Sequence, residues 1–316
     1  LAEVRALARA GWQVTVLAPG ASLYEPKGCR VVALGGEDLF GWPGALTKLR
    51  EHPARALRLP GVLERGRREL RRLPVADLLV AHWLVPSAWP LLLGPPGGLD
   101  RLLSARGRVE LVAHGSDVRL LLKLPRLVRD HILAQLAQPR VELRFVSLDL
   151  RDDLLNAAGL SSSLRRRLGE HSVVRPAALE LPPLPSRLQA RGQLGIREGE
   201  RLVLVVGRLV PDKRVDVALG AAELVPHGRL VVLGSGPELA SLRELFPTAE
   251  FLGQLPRTEA LTWMCASDVL LSASRLEGAP TAIREARLLG IPVVSSRAGD
   301  LEAWAAGDSD LWLASD

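Results

Sequence analysis

Apolar positions along this chain come in short runs, and between the runs they recur at helical spacing. In the first half the runs are WQVTVLAP (12–19), CRVVAL (29–34), ADLLVAH (76–82), VELVAHG (109–115), VELRFVS (141–147) and HSVVRP (171–176). Helical patterns separate them, notably over 44–73, 86–105, 126–138 and 148–168. Short apolar runs between helices fit parallel strands covered on both faces. The stretch ALELPPLPSRLQARGQLGIREGE (178–200) breaks the rhythm, because it is rich in proline and has no strand pattern. It reads as an interdomain linker.

The rhythm then restarts with RLVLVVG (201–207), RLVVLG (229–234), AEFLG (249–253), DVLLSAS (268–274), PVVSS (292–296) and DLWLA (310–314). Helices are expected near 214–225, 237–246, 256–266, 280–290 and 299–306. Strands followed by helices of this length predict right-handed βαβ units and Rossmann-like α/β sheets. The expected organisation is a first domain over 1–178, a linker over 179–200 and a second domain over 201–316. Ligands in such sheets sit beyond the carboxyl ends of the strands. The opening LAEVRALARAG reads as a helix ended by Gly11, not as the strand that usually opens an α/β domain. The chain also stops directly after a strand, so a piece clipped at both ends is expected.

Composition narrows the class. Hydrophobic residues make up 47% of the chain, which excludes a disordered protein. No apolar run approaches the roughly 18 residues of a membrane span, and no signal peptide opens the sequence. Cys29 and Cys265 are the two cysteines, far apart and outside any Cys/His cluster, as expected for free thiols in a reducing, cytoplasmic setting. The net charge of +6 is carried almost wholly by arginine. It reflects either arginine-rich coding composition or attraction to anionic lipid or substrate. Nucleic acid is disfavoured, because aromatic residues amount to 4% and do not interleave with the basic ones. Arg65, Arg67, Arg68, Arg71 and Arg72 share one helical stretch, either a solvated face or a peripheral contact with anionic head groups at the inner face of a membrane.

The candidate chemistry lies mainly in the second half. In GRLVPDKR, Gly207 ends a strand and lets the backbone approach a ligand, Arg208 follows it, and Lys213 sits near the next helix start. Arginine grips phosphate oxygens bidentately and lysine acts as a point charge. Each such bond contributes roughly 1.5–3 kcal/mol. About seventy residues later, SRLEGAPTAIREARLLG carries Glu277 and Glu285. On a single helix they would lie about 12 Å apart along the axis, beyond the glycosidase pair range of about 5–9.5 Å. Glu277 is therefore placed in the loop after strand 268–274 and Glu285 in the helix next along the chain. Gly278 permits a sharp turn and Pro280 suits a first helical position. The amides around Ala279, Thr281 and Ala282 then form an anion site. Two cations suit a diphosphate, and two carboxylates suit sugar hydroxyls. In GSGPE, Gly234 and Gly236 open a further strand-to-helix turn, either to let a ligand approach closely or simply to join strand and helix.

His114 ends an apolar strand before Gly115 and faces the crevice, either as a structural histidine or as a partner for a sugar hydroxyl. His82 has a similar position, read as structural, and Asp117 is read as a helix cap. The DSD at 308–310 is read as a turn, with no metal expected.

As a set, GRLVPDKR, VVLGSGPE, FLGQLP, ASDVLLSASRLEGAPTAIREARLLGIPVVSS and AGDLEA resemble the donor domain of GT-B glycosyltransferases of family 4, the retaining glycosyl transferases group 1. The resemblance covers about residues 201–303, and ARAGWQVTVLAP, VAHWLVPSAW, VAHGSDV and RFVS extend it to the acceptor domain. It implies a GT-B fold, with two Rossmann-like domains facing across a cleft. It also implies metal-independent transfer of a sugar from a nucleotide donor to a glycan, lipid-linked or other hydroxyl acceptor, with retention of configuration and no resident cofactor. By matching positions, Arg208 and Lys213 hold the diphosphate, Glu285 the ribose and Glu277 the donor sugar. Amides from Gly278 to Thr281 cradle sugar or phosphate, and His114 contacts the donor sugar. Ala279 stands where an aromatic is common, and Arg287 where methionine is.

Two other readings stay open. One is a module that binds a nucleotide sugar without turnover. The other is an epimerase of the same fold, which needs acid and base groups flanking the sugar. A dehydrogenase is disfavoured, since no GxGxxG with a downstream ribose acid comes after an early strand.

Overall fold

The computed structural model describes residues 2–20, 27–40, 48–49, 52–93 and 98–314. The chain divides into two compact units, Leu1–Ala178 and Leu179–Asp316. Each expected strand is present among the described residues, and all pair in parallel. The first unit holds β1 (Val14–Ala18), β2 (Cys29–Ala33), β3 (Ala76–His82), β4 (Leu103–Ala113), β5 (Val141–Phe145) and β6 (Ser172–Val174). The second holds β7 (Arg201–Val206), β8 (Gly228–Leu233), β9 (Glu250–Gly253), β10 (Val269–Ser272), β11 (Val293–Ser296) and β12 (Leu311–Ala314).

The second unit is one six-stranded sheet in the order β9-β8-β7-β10-β11-β12. Strand order reverses between β7 and β10, which pair from Val269↔Val203 to Leu271↔Val205. That reversal opens a crevice beyond the carboxyl ends of these two strands. The continuous apolar run of β7 has a direct cause. Leu202 and Leu204 enter one buried cluster, and Val203 and Val205 enter another on the opposite face. Helices Arg257–Ala266 and Thr281–Leu288 cover the first face, while Val215–Ala222 and Leu239–Leu245 cover the second.

The stretch expected as a linker is in part a packed element. Ser186 and Gln189 form a reciprocal capping box that starts helix Arg187–Gln193. Ala190 and Ile196 are buried in the core of the second unit. Arg187 and Arg191 donate to the carbonyls of Ser267 and Ala266, each at 3.0 Å. The prolines before Ser186 masked this short helix in the sequence.

The first unit contains the pair β1–β2 and a separate sheet β3-β4-β5-β6. Its helices depart from expectation in three places. Of the helix expected over 86–105, residues 94–97 lie outside the described residues, and the described part is not one helix. Val85 and Trp89, each preceding a proline, are extended (φ −133° and −122°), and β4 already begins at Leu103. The helix expected over 148–168 is two, Leu148–Leu155 and Ser162–Glu170, because Ser161 accepts from Leu164 N and caps a new start. Of the expected 44–73, residues 44–47 and 50–51 lie outside the described residues. Pro53–Arg58 is a 3₁₀ turn that leads into helix Leu59–Arg72.

A charged cluster ties this unit together. Arg144 on β5 is 4% exposed and donates to Glu110 on β4 (2.8 Å), to Glu3, and to the carbonyls of Arg175 (2.7 Å) and Pro176 (3.1 Å). A buried guanidinium persists only with its donors satisfied. Through Glu3, the cluster fastens helix Ala2–Arg9 to the sheet. Among the described residues no helix is long and apolar enough to cross a membrane.

Candidate functional site

In the second unit the two loops at the strand reversal are joined to each other. After β7, Gly207 still pairs with Leu233 O (3.0 Å), and half-buried Arg208 comes next. The chain then makes the 3₁₀ turn Pro211–Lys213, and Arg214 takes a left-handed conformation (φ 43°). Arg214 Nε donates to Ala273 O (2.7 Å), and Arg275 N donates to Asp212 O (2.9 Å). These bonds fasten the loop after β7 to the loop after β10. The result is that Lys213 Nζ meets Glu277 Oε1 at 2.5 Å, with the two side chains 22% and 10% exposed. Residues 64 apart in sequence thus form one charged pair.

Glu277 lies in the loop after β10, and Glu285 lies on helix Thr281–Leu288. Pro280 is the residue before the helix, not its first residue. Arg284 N makes the first ladder bond, to Pro280 O at 3.1 Å. The amides of Thr281, Ala282 and Ile283 precede that bond, so they carry the positive end of the helix. Glu285 is 7% exposed and is gripped by Arg257, whose Nε and Nη2 both donate to Oε1 (2.9 and 2.6 Å).

Gly234 and Gly236 have a local reason to be glycine. A Cβ on Gly234 (φ 145°) would fall 1.7 Å from Gly207 O, and one on Gly236 would fall 2.2 Å from Leu209 O. The backbone that approaches Gly234 closely is therefore the chain's own loop after β7. A Cβ on Gly207 would meet open space.

In the first unit, His82 ends β3 and His114 comes just after β4. His82 Nδ1 and His114 Nε2 are 2.9 Å apart, so one ring donates and the other accepts. Trp83 stands edge-on to His114 at 5.8 Å. Burial, the largest cause, holds both imidazoles below their ordinary value, and His82 lowers His114 further. Glu3 opposes the shift at both rings, and Asp117 opposes it at His114. Asp117 does more than the helix capping expected of it. It is 3% exposed and accepts from three amides: Leu84 (2.8 Å), His114 (3.0 Å) and Gly115 (2.9 Å). The carboxylate binds the chain after β3 to the chain after β4 and so fixes where His114 stands.

The arginine-rich helix Leu59–Arg72 is partly turned inward. Arg65 and Arg67 donate to Leu34 O and Pro90 O, each at 3.0 Å, and Arg72 pairs with Glu69 (2.7 Å). Asp308 and Asp310 are engaged by Arg287, at 2.7 and 3.3 Å. Among the described residues no group of three or more His, Cys, Asp or Glu could hold a metal ion. Sequence reasoning passed over Arg257, Arg214 and Arg144. Their partners lie 28, 59 and 34 residues away, so spacing carried no signal of the pairing.

Residues 186–305 match the family described as glycosyl transferases group 1. The chain is 25% identical over 234 residues to the putative teichuronic acid biosynthesis glycosyltransferase TuaC of Bacillus subtilis, covering 72% of this chain and 54% of that protein. It is 35% identical over 104 residues to the GDP-mannose-dependent alpha-mannosyltransferase of Corynebacterium glutamicum, covering 32% of this chain and 24% of that protein. The chain thus spans about half, or less, of the length of these curated relatives. Among solved structures it is similar to sucrose-phosphate synthase from Thermosynechococcus elongatus, with a TM-score of 0.72 and 20% identity over 98% of this chain and 77% of that one. That likeness shows the fold, GT-B, with two Rossmann-like units.

Proposed function

We propose that this chain, whose residues 186–305 match the glycosyl transferases group 1, moves a sugar from a nucleoside-diphosphate sugar to a hydroxyl acceptor, with retention of configuration. The observation that carries the reading is the Lys213–Glu277 pair at the strand reversal, which joins the loop that also carries Arg208 to the loop that leads into helix Thr281–Leu288. As the glycosidic bond breaks, negative charge grows on the leaving diphosphate. Arg208, Lys213 and the amides of Thr281 to Ile283 supply positive charge that gains most at that moment. This accounts for departure without a metal or a resident cofactor. Glu277 accepts from hydroxyls of the donor sugar, and Glu285 accepts from the ribose. The leaving phosphate takes the acceptor's proton on the same face, so no enzymic base is called for.

The acceptor is read as a glycan or lipid-linked hydroxyl, in keeping with the teichuronic acid biosynthesis named for the Bacillus relative. Work in the cytoplasm, at the inner face of a membrane, suits such an acceptor. Exposed Arg68 and Arg71 are available to anionic head groups there.

Calorimetric titration of UDP, GDP and ADP into wild type, Arg208→Ala and Glu285→Ala tests the reading. One nucleotide should bind wild type, and each substitution should weaken it at least tenfold. A folded wild type that binds none of the three, or binding that both variants retain, overturns it. NMR of the product's anomeric proton decides between retention and inversion.

A further inference from the structure

The carboxylate assigned to the ribose is Glu285, and the role inferred here for its neighbour Arg257 rests on that assignment. Glu285 Oε1 accepts two charged N–H groups from Arg257, which occupy both lone pairs of that oxygen. Both contacts fall on Oε1, so Oε2 is left clear of the guanidinium. Arg257 is itself fixed from the other side, where its Nη2 also donates to Glu180 O at 2.9 Å. Glu180 sits in the proline-rich run whose Leu181 and Leu184 pack on the core of the second unit. Arg257 opens helix Arg257–Ala266, which is anchored by buried Leu261, Trp263 and Met264. Its own side chain is 50% exposed and fills no part of the core.

We infer that Arg257 is a positioning residue for the nucleotide: by occupying Oε1 it holds the Glu285 carboxylate so that Oε2 is the oxygen presented to the vicinal hydroxyls of a ribonucleoside diphosphate. The last torsion of a glutamate is broad and twofold, so an unheld carboxylate swings between orientations. Arg257 removes that freedom before the ligand arrives, which lowers the ordering cost of binding. The diphosphate is recognised elsewhere, by Arg208 and Lys213. Arg257 therefore governs how strongly the chain prefers a ribose with both hydroxyls, not how strongly it holds phosphate.

The test uses whichever of UDP, GDP and ADP wild type binds, together with its 2′,3′-dideoxy analogue, each titrated calorimetrically into wild type, Arg257→Gln, Arg257→Lys and Glu285→Ala. Thermal melts establish that each variant is folded. Wild type should prefer the ribonucleotide at least tenfold. Arg257→Gln should cut that preference below about threefold, as Glu285→Ala should, while Arg257→Lys restores part of it. An unchanged preference in folded Arg257→Gln overturns the inference, as does an equal loss for both ligands. If Glu285→Ala abolishes the preference and Arg257→Gln does not, the inference about Arg257 fails and the ribose role of Glu285 stands. If Glu285→Ala leaves the preference intact, the ribose role fails and takes the inference with it. If Arg257→Gln does not fold, Arg257→Lys decides: a reduced preference supports the inference and a wild-type preference overturns it.

Discussion

Lys213 Nζ and Glu277 Oε1 are in contact at 2.5 Å, so the cation assigned to the diphosphate and the carboxylate assigned to the sugar neutralise each other in this structure. A diphosphate bound as proposed would compete with Glu277 for Lys213. Glu277→Gln should therefore raise nucleoside-diphosphate affinity or leave it unchanged, while sugar transfer falls by about a hundredfold. Lys213→Ala should weaken the same nucleotide by about tenfold or more, the worth of one charge-assisted bond. Calorimetry and a transfer assay on the two variants separate these effects. A Glu277→Gln variant that binds nucleotide tenfold more weakly would refute the competition.

Gly234→Ala should destabilise the second unit by about 2 kcal/mol or more, because its Cβ would overlap Gly207 O at a φ of 145°. Gly207→Ala, whose Cβ would meet open space, should stay within about 1 kcal/mol of wild type. Urea unfolding of the pair checks the contrast. Equal stabilities would mean that the loop after β8 moves to accommodate a side chain.

Asp117→Asn keeps the volume of the side chain but turns an amide N–H toward one of three backbone donors. A buried donor facing a donor costs about 1–3 kcal/mol. The variant should lose about that much in urea unfolding and should shift the imidazole NMR signals of His114. A loss confined to stability, with those signals unmoved, would remove Asp117 from the placement of His114.

His82 and His114 both have folded-state values below the ordinary 6.5. The unfolded chain then binds more protons than the folded one across the window from that ordinary value down to the lowered ones. Stability is therefore full above the ordinary value and is lost as pH falls through the window. Wild type should lose more stability between pH 7.5 and pH 5.5 than His82→Gln or His114→Gln does. Equal losses in urea unfolding at the two pH values would show that the pair is not the titrating element.

Apolar periodicity was enough to place the strands, their parallel pairing, the loops that carry Arg208, Lys213 and Glu277, and the helix that carries Glu285. Alternate side chains of β7 feed two cores on opposite faces, and that demand is written into every position from Leu202 to Val206. Local chemistry was legible wherever its cause was local. It failed at residues 86–105, where prolines force extended backbone inside a helical pattern, and at the capping box of Ser186, which lies in a proline-rich run. Which charges meet was settled only by the folded chain. The pairing of Lys213 with Glu277, of His82 with His114 and of Asp117 with the Leu84 amide depends on which strand ends the sheet order makes neighbours, and that of Arg257 with Glu285 on two helices that cover the same face of the sheet. A charge carries no record of its partner in its own neighbourhood of the chain, because the attraction acts through space between residues 28 to 64 positions apart.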